Sequence, residues 1–303
     1  YNCAQKRYMD FCSQYGLLAL PADEDTLLLY IAYLNSCGLC AGTVRVYLSG
    51  IRPLHIEEGW GNPLEDKYRL SRALRALTIT SEAPKQKLPI TLDIMRMLQS
   101  VISSSYDGRV LWAAMTLAFF GCLRASEFCV KGSKFNTETD LNLADVQWYL
   151  EEKAMCVTIK RSKTDIQNKG FTLPISCSSS DVCALCSMHA MLTARYQLGL
   201  PAAPQDPVFV FTSGLPLTKS TFVTQTRLYL SSVVPNPSDY SGHSFRSGSA
   251  TTAAMAGLGD WEIQLLGRWT STAYLRYIRA PRALLLSFSK KLTRQVDLST
   301  LTP

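Results

Sequence analysis

The chain has 303 residues, 47% of them hydrophobic, enough for one large or two medium domains with a sizeable core, which excludes wholesale disorder. It carries 31 Lys and Arg against 24 Asp and Glu, a formal net charge of +7, which favours a polyanionic partner over a cationic one without identifying it. No secretory leader stands at Tyr1 and no apolar run is long enough to span a bilayer, so a reducing intracellular compartment and no membrane association are expected.

The N-terminal stretch is helical by its spacing. Residues 4–17 place Tyr8, Phe11, Cys12 and Tyr15 on one face. Asp23 and Asp25 precede a second run over 27–36, which Gly38 would stop. A third helix is expected over 41–58, with Pro53 marking a kink or a break, and a fourth over 65–77, carrying Lys67, Arg69, Arg72 and Arg75. Four short helices with interleaved Arg, Lys and Tyr form either a bundle with a solvated basic face or a clamp whose arginines meet phosphates. Residues 80–90 lose the periodicity. Pro84 and Pro89 flank Lys85 and Lys87, and the segment reads as a linker between a first domain, 1–79, and a second, 91–303.

The second domain opens with an amphipathic helix capped by Thr91. Asp107 and Gly108 begin the next helix, which is apolar nearly all round and therefore buried. It runs into the sequence GCLRASE. An arginine directly after a buried helix is costly unless it has a partner or a task, and Glu127 stands three residues after Arg124. Residues 145–150, 154–160 and 170–175 read as three consecutive strands, a small antiparallel sheet. The loop between the last two holds Lys163, with Lys160 and Lys169 at its ends. A helix follows over 182–198, stopped by Gly199 and Pro201, with His189 expected on its packing face and without a role. Residues 208–211 read as a short strand. A helix over 218–233, capped by Thr218, carries Lys219 and Arg227. Ten cysteines are scattered through the chain. Two C-x-x-C pairs occur, Cys37/Cys40 and Cys183/Cys186, too far apart to read as one four-ligand set, so the expectation is plain thiols and no metal.

The stretch from 241 to 279 carries the most information. His243 and Arg246 lie three apart, at a spacing that shares a helical face, and small residues follow at Gly248, Ser249, Ala250, Ala253 and Ala254. Then come Gly267, Arg268 and Trp269, and nine residues after Arg268 comes Tyr277. A nucleophile, a proton-transfer group and converging cations suit chemistry on a phosphate.

The order HSFR, LGR, Tyr resembles the second box of the tyrosine recombinase (phage integrase) family, in which His-x-x-Arg is followed by Leu-Gly-His or Leu-Gly-Trp and, nine residues on, by Tyr. The wording looks closest to recombinases of eukaryotic DIRS/Ngaro-type retrotransposons and Crypton elements. The resemblance covers about residues 1–292. It implies a mainly α fold with a small antiparallel sheet, as a two-domain DNA clamp: a four-helix core-binding domain and a catalytic domain. It implies that Arg124 is the first-box arginine that holds the scissile phosphate, supported by Glu127, and that Lys163 is the hairpin lysine, with Lys160 and Lys169 as competitors. Arg268 occupies the family's His/Trp slot with Trp269 next to it, so both are candidates. Residues 43–48 look like a DNA-facing helix, which places Arg45 and Tyr47 on DNA, and Arg72, Arg75, Lys85, Lys87 and Lys219 are expected at phosphates.

The reaction implied is transesterification: Tyr277 attacks phosphorus, a 3′-phosphotyrosyl bond forms and a 5′-hydroxyl leaves. Bond energy is retained, so neither metal nor ATP is required. Two guanidiniums, Arg124 and Arg246, suit the phosphate through bidentate hydrogen bonds. His243 is the candidate base and Lys163 the candidate acid. Tyr274 is a rival nucleophile that more naturally packs. The expected partner is double-stranded DNA, element termini and target, bound by a homotetramer, in the nucleus if the source is eukaryotic. A type IB topoisomerase-like enzyme and a domesticated, non-catalytic DNA-binding protein are the alternatives.

Overall fold

The computed structural model describes residues 2–81, 85–132, 134–163, 165, 167 and 169–278. The expected C-terminal helix over 283–292, its tail, and Arg279 and Pro281 lie outside the described residues. The chain divides into two compact units, residues 1–85 and 86–303, and the division falls inside the segment read as a linker.

The first unit holds four helices: α1 (Asn2–Tyr15), α2 (Glu24–Ser36), α3 (Ala41–Glu57) and α4 (Tyr68–Thr80). α1 buries Ala4, Tyr8, Phe11 and Cys12, one stripe at helical spacing. Phe11 packs its ring 5.0 Å from Tyr30 and from Tyr33, and Tyr8 meets Tyr30 edge-on at 5.1 Å. The carboxylate of Asp23 caps α2 by accepting from the Thr26 N–H at 2.6 Å. α3 runs through Pro53 without a break. The carbonyl that loses its donor there belongs to Ser49, which is exposed. α4 begins later than its spacing suggests, where Glu24 of α2 accepts from the Leu70 N–H at 3.0 Å. Buried His55 accepts through Nε2 from the Ala22 N–H at 2.9 Å.

The second unit begins before its first helix. The Leu88 N–H donates to Asp239 and the Ile90 N–H to Ser244, each at 2.8 Å, and Ile90 is fully buried. The last residues of the expected linker are therefore part of this unit. Two helices follow, α5 (Leu92–Val101) and α6 (Tyr106–Phe120). Val110, Ala113, Ala114, Met115 and Leu117 of α6 are all at 0% exposure, so this helix is the centre of the core. A single turn, α7 (Ala125–Phe128), precedes the sheet of β1 (Val146–Tyr149), β2 (Ala154–Ile159) and β3 (Phe171–Ser176). The order is β1-β2-β3, all antiparallel, with Val146 opposite Val157 and Ile159 opposite Phe171. Met155, Val157 and Ile159 of the central strand alternate inward.

The remaining helices are α8 (Ala184–Gln197), α9 (Lys219–Leu230), α10 (Ser244–Met255) and α11 (Asp260–Gly267), followed by a 3₁₀ turn over Thr272–Arg276. The Thr218 hydroxyl caps α9, accepting from the Thr221 N–H at 3.1 Å. Residues 208–211 form only an isolated bridge, Val210 to Pro216, where a strand was expected. Their region is held by a buried cation: Arg195, 1% exposed, donates from Nη1 to the carbonyls of Pro207 at 2.8 Å and Val208 at 3.1 Å. Backbone partners take the rest: the Val208 N–H donates to the Leu141 carbonyl, the Leu217 N–H to that of Phe209 and the Phe211 N–H to that of Leu215.

Candidate active site

The site is built on the C-terminus of α6. The helix closes at Gly121, and Cys122 takes a left-handed conformation, φ 47°, that turns the chain away. The carbonyls of Gly121 and Cys122 are left pointing outward at the negative end of the helix dipole, where cations are favoured. Two arginines from sequence-distant segments take them. Arg246, in the first turn of α10, donates from Nη1 to Cys122 and from Nη2 to Gly267. Arg268 donates from Nη1 to Gly121 at 3.0 Å and from Nη2 to Cys122 at 3.2 Å.

The two arginines then differ. Arg246 is at 0% exposure, its guanidinium carbon 4.3 Å from the centre of the Trp269 ring and 5.9 Å from that of Tyr277. Its Nε has no acceptor among the described residues. Burial pulls its ionisation below the ordinary guanidinium value. Arg268 is directed away from this cluster, over the Phe171 ring at 4.3 Å and 3.6 Å from the carboxylate of Glu127. The expectation that Arg268 donates to phosphate therefore meets a different geometry, in which its donors face backbone carbonyls and Glu127. Trp269 is the residue of that pair beside Arg246 and Tyr277.

The local chain explains the difference. α11 ends at Gly267, and Arg268 reverses direction with φ 55°. Trp269 is thereby folded back over Gly267, so closely that a Cβ at 267 would lie inside the indole ring. The Leu-Gly-Arg-Trp order is thus a tight helix end that sends adjacent side chains to opposite tasks.

Arg124 sits at the N-cap of α7. Its Nη1 donates to Glu127 Oε1 at 2.8 Å and to Ser162 Oγ at 3.2 Å, and its backbone N–H donates to Glu127 Oε2 at 2.9 Å. The Ser162 hydroxyl in turn donates to Glu127 Oε1 at 2.9 Å. Glu127, its side chain 1% exposed, is the shared carboxylate of Arg124 and Arg268. A buried carboxylate so placed neutralises both cations, and its loss would leave them uncompensated. Ser162 links this group to the β2–β3 loop, in which Lys163 is exposed. Lys160 is tied instead to Asp145, at 2.9 Å, and to the carbonyls of Thr137 and Asp140. Exposed Lys169 lines a separate surface cavity with Glu138 and Arg161.

His243 occupies the N-cap of α10 and is exposed, whereas Arg246 three residues later is enclosed. Partial desolvation, and then the charges of Lys219, Arg124, Arg246 and Lys163, hold its imidazole below the usual value. Those four cations come from separate segments of the chain: α9, the N-cap of α7, α10 and the β2–β3 loop. Tyr277 is half-buried at the end of the 3₁₀ turn, its ring 5.3 Å from Trp269 and its carbonyl accepting from Thr251 Oγ1 at 3.1 Å. The described residues at this point form a 3₁₀ turn and not an α-helix. Tyr274, 2% exposed, packs with Ala250, Ala253 and Ile263.

In the first unit, Arg45 is exposed but bonded to α4, donating to Thr78 Oγ1 at 2.8 Å. Tyr47 is half-buried under the Arg7 guanidinium at 5.4 Å. Arg72 and Arg75 are exposed on α4. Lys85 is exposed, and exposed Lys87 donates to the Ser238 carbonyl at 2.8 Å. His189 is exposed, edge-on to Trp148 at 6.1 Å, and not on the packing face expected for it. Ser162 and the two carbonyls of the α6 terminus are absent from the sequence expectation. No spacing signal marks a carbonyl, whereas Ser162 stands next to Lys163 in the sequence.

No family model matches the chain, and no curated protein matches it. Solved structures do match in fold. The Tn1549 transposon integrase in complex with transposon right end DNA superposes with a TM-score of 0.63 at 14% identity, covering 96% of this chain and 93% of that one. The XerH site-specific recombinase bound to palindromic difH substrate gives 0.64 at 14%, over 94% and 75% of the two chains. XerA recombinase gives 0.51 at 14%, over 96% and 91%. The chain is mainly helical with a small antiparallel sheet, a fold it shares with tyrosine recombinases.

Proposed function

We propose that this chain is a site-specific DNA recombinase that cleaves and rejoins strands through a covalent tyrosine intermediate, acting as a tetramer on the ends of a mobile element. The observation that carries this reading is the packing of the Arg246 guanidinium 4.3 Å from the Trp269 ring and 5.9 Å from that of Tyr277, with Arg124 and Arg268 joined through Glu127 at the same helix end.

The chemistry follows from the residue types. Tyr277 Oη attacks phosphorus and passes its proton to His243. A Tyr–O–P bond forms as the bond from phosphorus to the 5′-oxygen breaks, and Lys163 protonates the departing oxygen. A 5′-hydroxyl of another strand reverses the step. Tyrosine has a pKa of about 10 and needs a base at neutral pH. Desolvation first, and then nearby positive charges, hold the imidazole below its usual value, which favours the unprotonated form that a base requires. Arg124, fixed by Glu127 and Ser162, presents its remaining donors to the phosphate. Loss of one such preorganised donor costs ~10²–10³ in rate. Arg246 is enclosed beneath Trp269 and Tyr277, and in this reading its Nε, without an acceptor among the described residues, is the donor for the phosphate. In this reading Trp269 does the work of the His/Trp slot, and Arg268 positions the α6 terminus.

The test uses labelled duplexes, drawn from a randomised library, with a nick that lets the short 5′-hydroxyl fragment diffuse away and traps the adduct. Covalent adduct on a denaturing gel is expected from the wild-type chain and from Tyr274→Phe, and none from Tyr277→Phe. DNA binding without adduct on any duplex would refute cleavage and leave a non-catalytic DNA-binding protein.

A further inference from the structure

β3 ends at Ser176 and the next residue, Cys177, starts the connection to α8. Cys183 is the N-cap of α8 and Cys186 lies in its first turn. The sulfur of Cys177 stands 3.7 Å from that of Cys183 and 3.9 Å from that of Cys186, and all three lie within 4.8 Å of one another. A disulfide requires about 2.05 Å between sulfurs. Three sulfurs bound tetrahedrally to one ion at 2.3 Å are about 3.8 Å apart. The thiols are therefore unbonded to one another, and the two distances from Cys177 match the edges of a zinc tetrahedron.

Two more features belong to the same place. The backbone N–H of Cys186 donates to the Cys183 sulfur at 3.5 Å, the kind of contact that orients a ligand and supports a thiolate. His189 follows Cys186 by three residues, on the same side of α8, and lines a surface cavity of about 300 Å³ with Cys177, Cys186 and Trp148. Cys183 is buried while Cys186 is exposed, so the cluster is rooted in the core and open to an entering ion. The sequence pairs Cys183 with Cys186 only. Folding adds Cys177 from the end of the sheet.

We propose that Cys177, Cys183, Cys186 and His189 form a structural Zn²⁺ site, with His189 reaching the ion by a change of side-chain rotamer. The site would clip the end of β3 to the start of α8, the helix that packs on α6. Zinc contributes no step to strand cleavage; it holds the sheet whose β2–β3 loop carries Lys163.

The experiment takes the full chain, reduced and stripped with a chelator, and titrates it with Zn²⁺ and with Co²⁺. One ion per chain is expected, with a raised thermal midpoint and, for Co²⁺, a thiolate charge-transfer band together with tetrahedral d–d bands. Cys177→Ser and Cys186→Ser should each weaken the charge-transfer band and lower affinity by more than about tenfold. His189→Ala should move the d–d bands and keep the charge-transfer band. Because Cys186 is exposed, its serine variant keeps the fold, which far-UV circular dichroism checks. Absence of a thiolate–cobalt band in the reduced chain would overturn the site. So would a band unchanged in both serine variants, which would trace the metal to Cys37 and Cys40. Loss of two titratable thiols without metal would replace it with a disulfide. Unchanged d–d bands in His189→Ala would overturn the assignment of the fourth ligand.

Discussion

His243 shows how one residue's surroundings set its chemistry. It stands at a helix N-terminus, where the dipole is positive; desolvation first, and then the charges of Lys219, Arg124, Arg246 and Lys163, press its pKa down. The chain has 3 histidines, so the imidazoles can be followed individually by NMR. His243 and His55 should both titrate below the ordinary value of about 6.5. Lys219→Met removes one of the charges acting on His243 and should raise its pKa while leaving that of His55 unchanged. No movement of His243 would mean that the cation cluster does not act on it. For His55, burial is the first cause, and its Nε2 must stay unprotonated to accept from Ala22. A depressed folded value makes this a contribution present above about pH 6.5 and lost as the pH falls toward the folded pKa. Arg246 and Arg268 make the complementary point. Both take carbonyls at one helix end, but only Arg246 also lies against the rings of Trp269 and Tyr277.

At the level of elements, α10 is placed by a close backbone approach. The segment before α5 runs beside it, with the Ile90 N–H bonded to Ser244, and a Cβ at Gly248 would overlap the Ile90 carbonyl. The small residues after Arg246 thus permit the segment to pass directly over the helix that carries Arg246. Gly248→Ala forces backbone apart and should destabilise the second unit by about 1–3 kcal/mol. A lower urea midpoint at unchanged slope would report it. An unaltered midpoint would show that the approach relaxes freely. The end of the described chain behaves differently from its pattern. Tyr274 lies inside the 3₁₀ turn, whereas Tyr277, three residues on, is its C-cap. Tyr274 fills the cluster of Ala250 and Ile263, which leaves Tyr277 at the rim beside Trp269.

For the molecule as a whole, the excess of positive charge bears on the DNA partner proposed above. Binding to a duplex should weaken linearly in log–log form with salt, with a slope near −0.9 for each phosphate neutralised. Arg72→Ala and Arg75→Ala should each flatten that slope by about one, because both side chains are exposed on α4. Arg45→Ala should flatten it less, since Arg45 already donates to Thr78. Slopes unchanged by all three would remove the first unit from the DNA interface. No helix among the described residues is long and apolar enough to cross a membrane.

Local spacing by itself determined a good part of this protein. Helix α6 was evident because a run apolar on every side has nowhere to go but the core. The three strands were evident from alternation, and the Arg124–Glu127 pair from the cost of burying an unpaired arginine. The order HSFR, LGR, Tyr pointed to the right fold, which the solved structures share. Only the tertiary structure decided which way neighbouring side chains turn. The left-handed turn at Arg268 separates it from Trp269, and the N-cap position separates exposed His243 from enclosed Arg246. It also decided that residues 208–211 bond to the backbone of Leu141, Leu215 and Leu217 without forming a strand, with Arg195 on the Pro207 and Val208 carbonyls, and that Cys177 joins Cys183 and Cys186. Each of these depends on a partner distant in the chain or on one residue's backbone angle. Periodicity averages over neighbours and carries neither.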